Sequence, residues 1–331
     1  MDRVRLISGR SNQPLAQKIA DYLAVSLVKC TITNFSNGEI YVEIGENIRG
    51  FNVFFVQTGA GSSDGKRSIN DHYVEALEVA DACRRSDAAS IGIIYPTFPY
   101  ARSDKKDKPR VSIMSSVIAN GLKNAGYSRI ICMDIHAGQT QGVVTIPFDN
   151  LYCIKLQIDY LRKYIFSHLD QDAINDIFVL ISPDVGGTKR IRDFAKRLNM
   201  PHAIMNKQRD YSQSGVIEST VLMGTNVSGK TGIIIDDMAD SMGTMIASVN
   251  DLQIHGIKKV IIIVTHGILS GPAIDRINKC DLSSEVIVTD SIDQTANLLI
   301  CPKLRIVDIA PLLGDVIKCL TSGGSISELL I

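Results

Sequence analysis

The chain lacks a net charge: 35 Lys and Arg balance 35 Asp and Glu over 331 residues. With no global field to draw nucleic acid or an anionic membrane, neither is expected as a partner, and any basic site is local. Paired cysteine spacing is missing too. The seven cysteines, Cys30, Cys83, Cys132, Cys153, Cys280, Cys301 and Cys319, are scattered and never spaced as CxxC, which argues against a disulfide framework and a zinc site. No apolar run approaches membrane-spanning length, and the opening MDRVRLISGRSNQ has no signal-peptide core. A reducing cytoplasm is the expected compartment. Nothing in the composition suggests disorder, and the length suits two domains of about 150 residues each.

What is present is a rhythm. Short apolar runs, RVRLIS, NVFFVQ, ASIGIIY and RIICMDI, then IFVLIS, TGIIID and KVIIIVT, alternate with helical periodicity at 12–25, 71–86, 112–125, 188–198 and 244–255. That alternation predicts an α/β protein of two tandem doubly wound domains with mostly parallel sheets. The proline and turn residues of IPFDNLYC set the boundary, giving domains at 1–155 and 156–309 and a C-terminal helix at 310–331 that packs on the first. RIICMDIHAG and GIIIDDMADS echo one another as strands ending in an acid and a turn. The Gly/Ser-rich stretch 59–71 reads as a mobile surface loop without chemistry.

The most informative stretch is 231–245, TGIIIDDMADSMGTM. Ile233, Ile234 and Ile235 are too few and too β-branched for a lone helix, so they read as a buried parallel strand delivering Asp236 and Asp237 at its carboxyl end. Ligands of open α/β sheets bind at that edge. Asp240, Ser241, Met242, Gly243 and Thr244 then form a turn opening a helix, whose hydroxyls, amides and dipole suit a phosphate. The acids suit ribose hydroxyls or a metal-bound diphosphate. Plain helix capping by Asp240 or Ser241 is the simpler alternative, but it leaves three carboxylates unexplained.

Four further segments choose among chemistries. In FSNGEIYVEIGENIRG, Phe35 could stack on a base while Asn37 and Glu39 bond its edge; alone, the segment is a hairpin turn. YPTFPYARSDKKDKPR carries Arg102, Lys105, Lys106, Lys108 and Arg110, a density that suits either a polyphosphate or a solvated loop. MDIHAGQTQG puts His136 beside an acid at a strand end, and SPDVGGTKR puts Asp184 before a Gly-rich turn. Together these two could attend a Mg²⁺ that keeps mostly water and phosphate ligands. His72, His168, His202, His255 and His266 read as structural or surface residues.

The whole chain resembles the ribose-phosphate diphosphokinase, or phosphoribosyl pyrophosphate synthetase, family. FSNGE, ENIRG, FPYAR, DKKDKPR, DIHAGQ, IPFDNL, SPDVGG, NKQR and DDMADSMGT occur in the family's order, whereas plain phosphoribosyltransferases share only the last. The resemblance implies two phosphoribosyltransferase-like domains and transfer of the β,γ-diphosphoryl group of ATP to ribose 5-phosphate. It also implies a Mg²⁺-dependent homo-oligomer, commonly a hexamer, with each ATP site completed by a neighbouring subunit. By the same resemblance Phe35, Asn37 and Glu39 hold adenine, Arg102 and Ser103 contact ATP, and His136 and Asp184 are Mg²⁺ positions. Asp236, Asp237 and the loop Asp240, Ser241, Met242, Gly243 and Thr244 hold ribose 5-phosphate, and Lys207 and Arg209 are the catalytic cations.

Three positions depart from the family pattern: Asn37 for aspartate, Ser103 for glutamine and Met242 for a small residue. The stretch 59–71 is also longer than usual, near surfaces the family uses for assembly and regulation. The departures leave a second possibility, a catalytically silent homologue that assembles with active subunits. A plain phosphoribosyltransferase is a third, and it leaves the N-terminal motifs unexplained.

Overall fold

The computed structural model describes residues 3–209 and 217–330, with only the backbone described for 207–209, 217–219 and 330. The chain divides into two compact units. One contains the residues up to Cys153, Asp290–Ala296 and those from Asp308 onward; the other contains Ile154–Thr289 and Asn297–Val307.

In the first unit, β1 (Val4–Ser8), β4 (Asn52–Val56), β5 (Ser90–Ile94), β6 (Arg129–Met133) and β7 (Phe148–Leu151) form one sheet in the order β1-β4-β5-β6-β7. Every pair in it is parallel. β2 (Cys30–Asn34) and β3 (Ile40–Ile44) make a separate antiparallel hairpin. Helices Gln13–Leu23, Ile69–Arg85 and Met114–Ala125 complete the crossovers. Their apolar stripes are buried, for example Leu15, Ile19 and Leu23 on the first, as the periodicity requires.

The second unit is a seven-stranded sheet in the order β10-β9-β8-β11-β12-β13-β14. Its strands are β8 (Phe178–Ser182), β9 (His202–Arg209), β10 (Ile217–Gly224), β11 (Thr231–Ala239), β12 (Lys259–Gly267), β13 (Ser283–Thr289) and β14 (Leu304–Val307). Only the β9–β10 pair is antiparallel. The central strands are covered on both faces: Ile234, Ile262 and Val264 enter one core, and Ile233, Ile235, Ile261 and Ile263 enter the other. Two-sided burial is why β11 and β12 read as unbroken apolar runs. From β8 the chain moves outward to β9 and β10, then returns on the other side of β8 as β11. The crevice at the carboxyl ends of β8 and β11 is therefore this sheet's topological switch point.

Two segments differ from the sequence expectation. Asp290–Ala296 belongs to the first unit, where the Asp290 carbonyl accepts from Asn12 Nδ2 (2.8 Å), the Ser291 carbonyl from Thr58 Oγ1 (2.8 Å), and the Asp290 carboxylate from Lys18 Nζ (2.7 Å). The stretch 59–71 is not wholly a surface loop. Gly59 is buried, and a Cβ there would lie 2.4 Å from the Thr97 carbonyl. The stretch ends inside a helix that starts at Ile69, behind a capping box of Ser68 and Asp71. The final helix, Ala310–Ser322, lies on the first: Tyr22 donates to Asp315 (2.8 Å) and packs over Gly314. No described helix is long and apolar enough to cross a membrane.

Candidate active site

The switch point of the second unit collects the acids that the motif reading singled out. β8 pairs with β11 only as far as Ile181↔Ile234, whereas β12 accompanies β11 to Ala239↔Gly267. Asp236 and Asp237 thus lie within β11, beyond the last β8 pairing, and not at the strand's end as the short apolar run suggests. β11 is longer because β12 continues to hydrogen-bond it. One edge is left open at the two acids.

Both carboxylates are largely sheltered, with side chains 23% and 6% exposed. Burial, followed by the neighbouring Asp237 charge, pushes the Asp236 carboxyl up to about 7. Arg190 works in the opposite direction. Its Nη1 lies 2.8 Å from Asp236 Oδ1 and its Nη2 lies 3.7 Å from Asp237 Oδ1. Sequence reasoning missed Arg190, one of five cations on the helix Thr188–Leu198.

That helix starts from a tight turn. Ser182 Oγ donates to the Asp184 carbonyl (2.7 Å), and Asp184 Oδ1 accepts from the Gly187 amide (3.0 Å). A Cβ on Gly187 would sit 2.4 Å from Ser182 Oγ, so only glycine fits without displacing the serine. Asp184 is left exposed at the mouth.

After β11 the loop is braced from outside the motif. Ser270 Oγ donates to Asp240, and Arg276 Nη1 donates to the Ser241 carbonyl (2.6 Å). Met242 is left-handed (φ 62°) and 3% exposed, packed in the core under the loop. Its bulk therefore points away from the loop's outer surface. Gly243–Ile254 follows with no side-chain cap, its first helical bond running from the Ile246 amide to the Met242 carbonyl (2.9 Å). Neither Asp240 nor Ser241 caps the helix, so the simpler capping alternative fails. The helix N-terminus keeps its dipole and leading amides for an anion beside the Ser241 and Thr244 side chains, both exposed.

Lys207 and Arg209 lie in β9, paired with Thr220 and Ile217 of β10. Read without the family, NKQR looks like a surface loop; here it is strand. The side chains of both residues, and all of the DYSQSG that comes next, lie outside the described residues.

The remaining candidates belong to the first unit. Phe35 is 55% exposed and meets Tyr41 edge to face, ring centroids 5.7 Å apart, at the tip of the β2–β3 hairpin. Asn37 Oδ1 accepts from the Glu39 amide (3.1 Å), while the Phe35 amide donates to the Glu39 carbonyl (2.8 Å). Asn37 is thus an Asx-type turn residue, a role in which aspartate and asparagine are equivalent acceptors. Ser103 Oγ accepts from the Met114 amide (3.1 Å) and donates to the Ser112 carbonyl (3.3 Å), closing the exposed cationic loop Lys105–Arg110 at its base. Arg102 beside it is exposed. His136 is exposed on the turn after β6, where the Asp134 carboxylate accepts from the Cys153 amide (3.1 Å) and Asn150 accepts from the Ile135 amide (3.0 Å). Of the two expected metal positions, His136 lies in the first unit and Asp184 in the second. Among the described residues no three His, Cys, Asp or Glu side chains gather into a metal cage.

Residues 4–126 match the N-terminal domain of ribose phosphate pyrophosphokinase. Residues 217–331 match the phosphoribosyl synthetase-associated domain. The fold is similar to that of the phosphoribosylpyrophosphate synthetase from Mycobacterium smegmatis, with 35% identity over 97% of this chain and 100% of that one and a TM-score of 0.85. Adenine phosphoribosyl transferase from Trypanosoma brucei is more distant: 17% identity over 47% of this chain and 64% of that one, TM-score 0.29. The corresponding enzyme of Giardia lamblia shows 14% identity over 47% and 82%, TM-score 0.24. Likenesses as remote as these two carry no weight for the chemistry of this chain. With a full-length relative at 35% identity and matching models at both ends, the chain belongs to the phosphoribosylpyrophosphate synthetase family.

Proposed function

We propose that this chain is a ribose-phosphate diphosphokinase, transferring the β,γ-diphosphoryl group of ATP to the C1 hydroxyl of ribose 5-phosphate. The products are phosphoribosyl diphosphate and AMP. The observation that carries this reading is the full-length similarity to a synthetase, together with paired acids and an uncapped helix at one switch point. The amides opening Gly243–Ile254 and the hydroxyls of Ser241 and Thr244 would take the 5-phosphate, while Asp236 and Asp237 accept from ribose hydroxyls. The sugar is then fixed at both ends, with its C1 oxygen free to attack the β-phosphorus. As that C–O–P bond forms, the C1 hydroxyl gives up its proton to water, the bridge between the α- and β-phosphorus atoms breaks and AMP leaves with the electron pair.

Such a transfer needs positioning and charge compensation more than covalent help. Lys207 and Arg209 would supply cations to the migrating diphosphoryl group, and Arg102 and Ser103 would contact ATP. Phe35, Asn37 and Glu39 would hold adenine across a subunit boundary in a homo-oligomer, a hexamer by family resemblance. By the family resemblance His136 and Asp184 would attend Mg²⁺; the exposed Asp184 carboxylate suits that ion, which takes one or two carboxylates and completes its shell with phosphate and water. When bound, Mg²⁺ would neutralise phosphate charge. All seven cysteines are free, in keeping with a reducing cytoplasm.

A silent homologue is not favoured, because each departure that prompted it has a local role. Asn37 closes a turn, Ser103 closes a loop and Met242 fills a core. The test is direct: the purified chain with ATP, Mg²⁺ and ribose 5-phosphate should release AMP and phosphoribosyl diphosphate in equal amounts. Folded protein without turnover above background refutes the assignment. GTP and CTP in place of ATP then report donor preference.

A further inference from the structure

Two adjacent acids in a sheltered crevice repel one another and resist ionisation. Left to themselves they would turn apart, which removes the paired hydrogen-bond acceptors that a sugar needs. Arg190 meets both. It occupies the third position of Thr188–Leu198, and the turn that exposes Asp184 also fixes where this helix starts, since Gly187 packs its amide on the Asp184 carboxylate. The guanidinium spans the pair through two separate nitrogens, at 2.8 Å from Asp236 and 3.7 Å from Asp237, while only 28% exposed. A planar fork can bridge two carboxylates in this way; an ammonium, as a point charge, cannot hold both in fixed orientation.

We propose that Arg190 is a positioning residue for the sugar acceptor, holding Asp236 and Asp237 aimed into the crevice to take ribose hydroxyls, a role that rests on the reading of this pair as the ribose site. Arg190 itself touches no reacting atom. Its removal should therefore weaken acceptor binding selectively and leave the ATP half of the site as it was.

The experiment uses the full-length oligomer and three variants, Arg190→Met, Arg190→Gln and Arg190→Lys. The KM values for ribose 5-phosphate and for ATP are measured separately, and ribose 5-phosphate binding is measured by calorimetry. Arg190→Met should raise the ribose 5-phosphate KM and Kd by about 10- to 100-fold, the effect of losing charge-assisted hydrogen bonds, with the ATP KM unchanged within about twofold. Arg190→Lys should recover part of the loss and Arg190→Gln less, an order set by charge and reach. Should Arg190→Met fail to fold, the Lys and Gln variants carry the same comparison. Wild-type acceptor affinity in Arg190→Met, or equal losses for both substrates in all three variants, overturns the role. Absence of ribose 5-phosphate binding by the wild-type protein would instead overturn the ribose-site reading itself.

Discussion

Replacing Asp236 with asparagine should stabilise the unliganded protein at neutral pH while weakening its function. In the folded state the carboxyl is pushed up to about 7, first by burial and then by Asp237, against about 3.9 in an unfolded chain. Between those values the folded state holds a proton that the unfolded state has lost, so stability falls as pH rises through the window. Below it neither state is ionised and nothing is lost; above it the whole penalty is present. A displacement of about three units corresponds to a ceiling of about 4 kcal/mol. The side chain is 23% exposed, and asparagine keeps a weaker acceptor for Arg190, so the expected gain is about 1–3 kcal/mol at pH values above about 7.5. Urea midpoints of wild type and Asp236→Asn, measured without ligand from about pH 4.5 to about pH 8.5, should diverge on the alkaline side and converge on the acid side. Ribose 5-phosphate should then raise the wild-type midpoint and leave the variant's nearly unmoved. A variant less stable than wild type at alkaline pH, or a gain that does not depend on pH, refutes the account.

Met242→Gly removes a left-handed backbone cost of about 1–2 kcal/mol but deletes a buried side chain worth about 2–5 kcal/mol. It should lose about 1–3 kcal/mol in chemical denaturation while keeping its ribose 5-phosphate KM within a few-fold. Gly187→Ala drives a methyl into Ser182 Oγ and should cost about 1–3 kcal/mol. The double variant Ser182→Ala/Gly187→Ala should regain most of that loss in the same assay, and failure to do so would place the strain elsewhere. Lys207→Ala should lower kcat by about two orders of magnitude or more, as loss of a transition-state cation does, with the sedimentation profile of the oligomer unchanged.

How much of the fold and the site is legible in the sequence depends on which forces shape each element. β11 and β12 are covered on both faces, and such strands announce themselves as isoleucine runs. The β9–β10 hairpin does not. Leu222 packs on the core while Val221 and Met223 are exposed, so polar and apolar residues mix, and NKQR reads as a loop. The carboxylate pair is visible because strand, acids, turn and helix are consecutive. Arg190 is hidden among five cations on one helix, and no spacing rule says which of them reaches β11. Arg276 and Ser270 brace the loop after β11 from a segment some thirty residues away, a pairing only the folded chain supplies. The direction of the Met242 side chain turns on a positive φ that composition does not encode. Asn37 and Ser103 stand out as departures from a family, yet their meaning lies in backbone amides that a sequence does not display.

The first unit is built from three separate stretches of chain. Asp290–Ala296 and the residues from Asp308 onward lie with the N-terminal helix and the loops after β1 and β4. During synthesis, domains fold as units from the N-terminus, but here the unit begun first is finished last. While the second unit is being made, the helix Gln13–Leu23 must wait with Lys18 and Tyr22 unpaired, until Asp290 and Asp315 have left the ribosome. A chaperone that binds the nascent chain at that stage therefore meets an incomplete N-terminal half, and chains truncated after about residue 289 should show their loss of order in that half first.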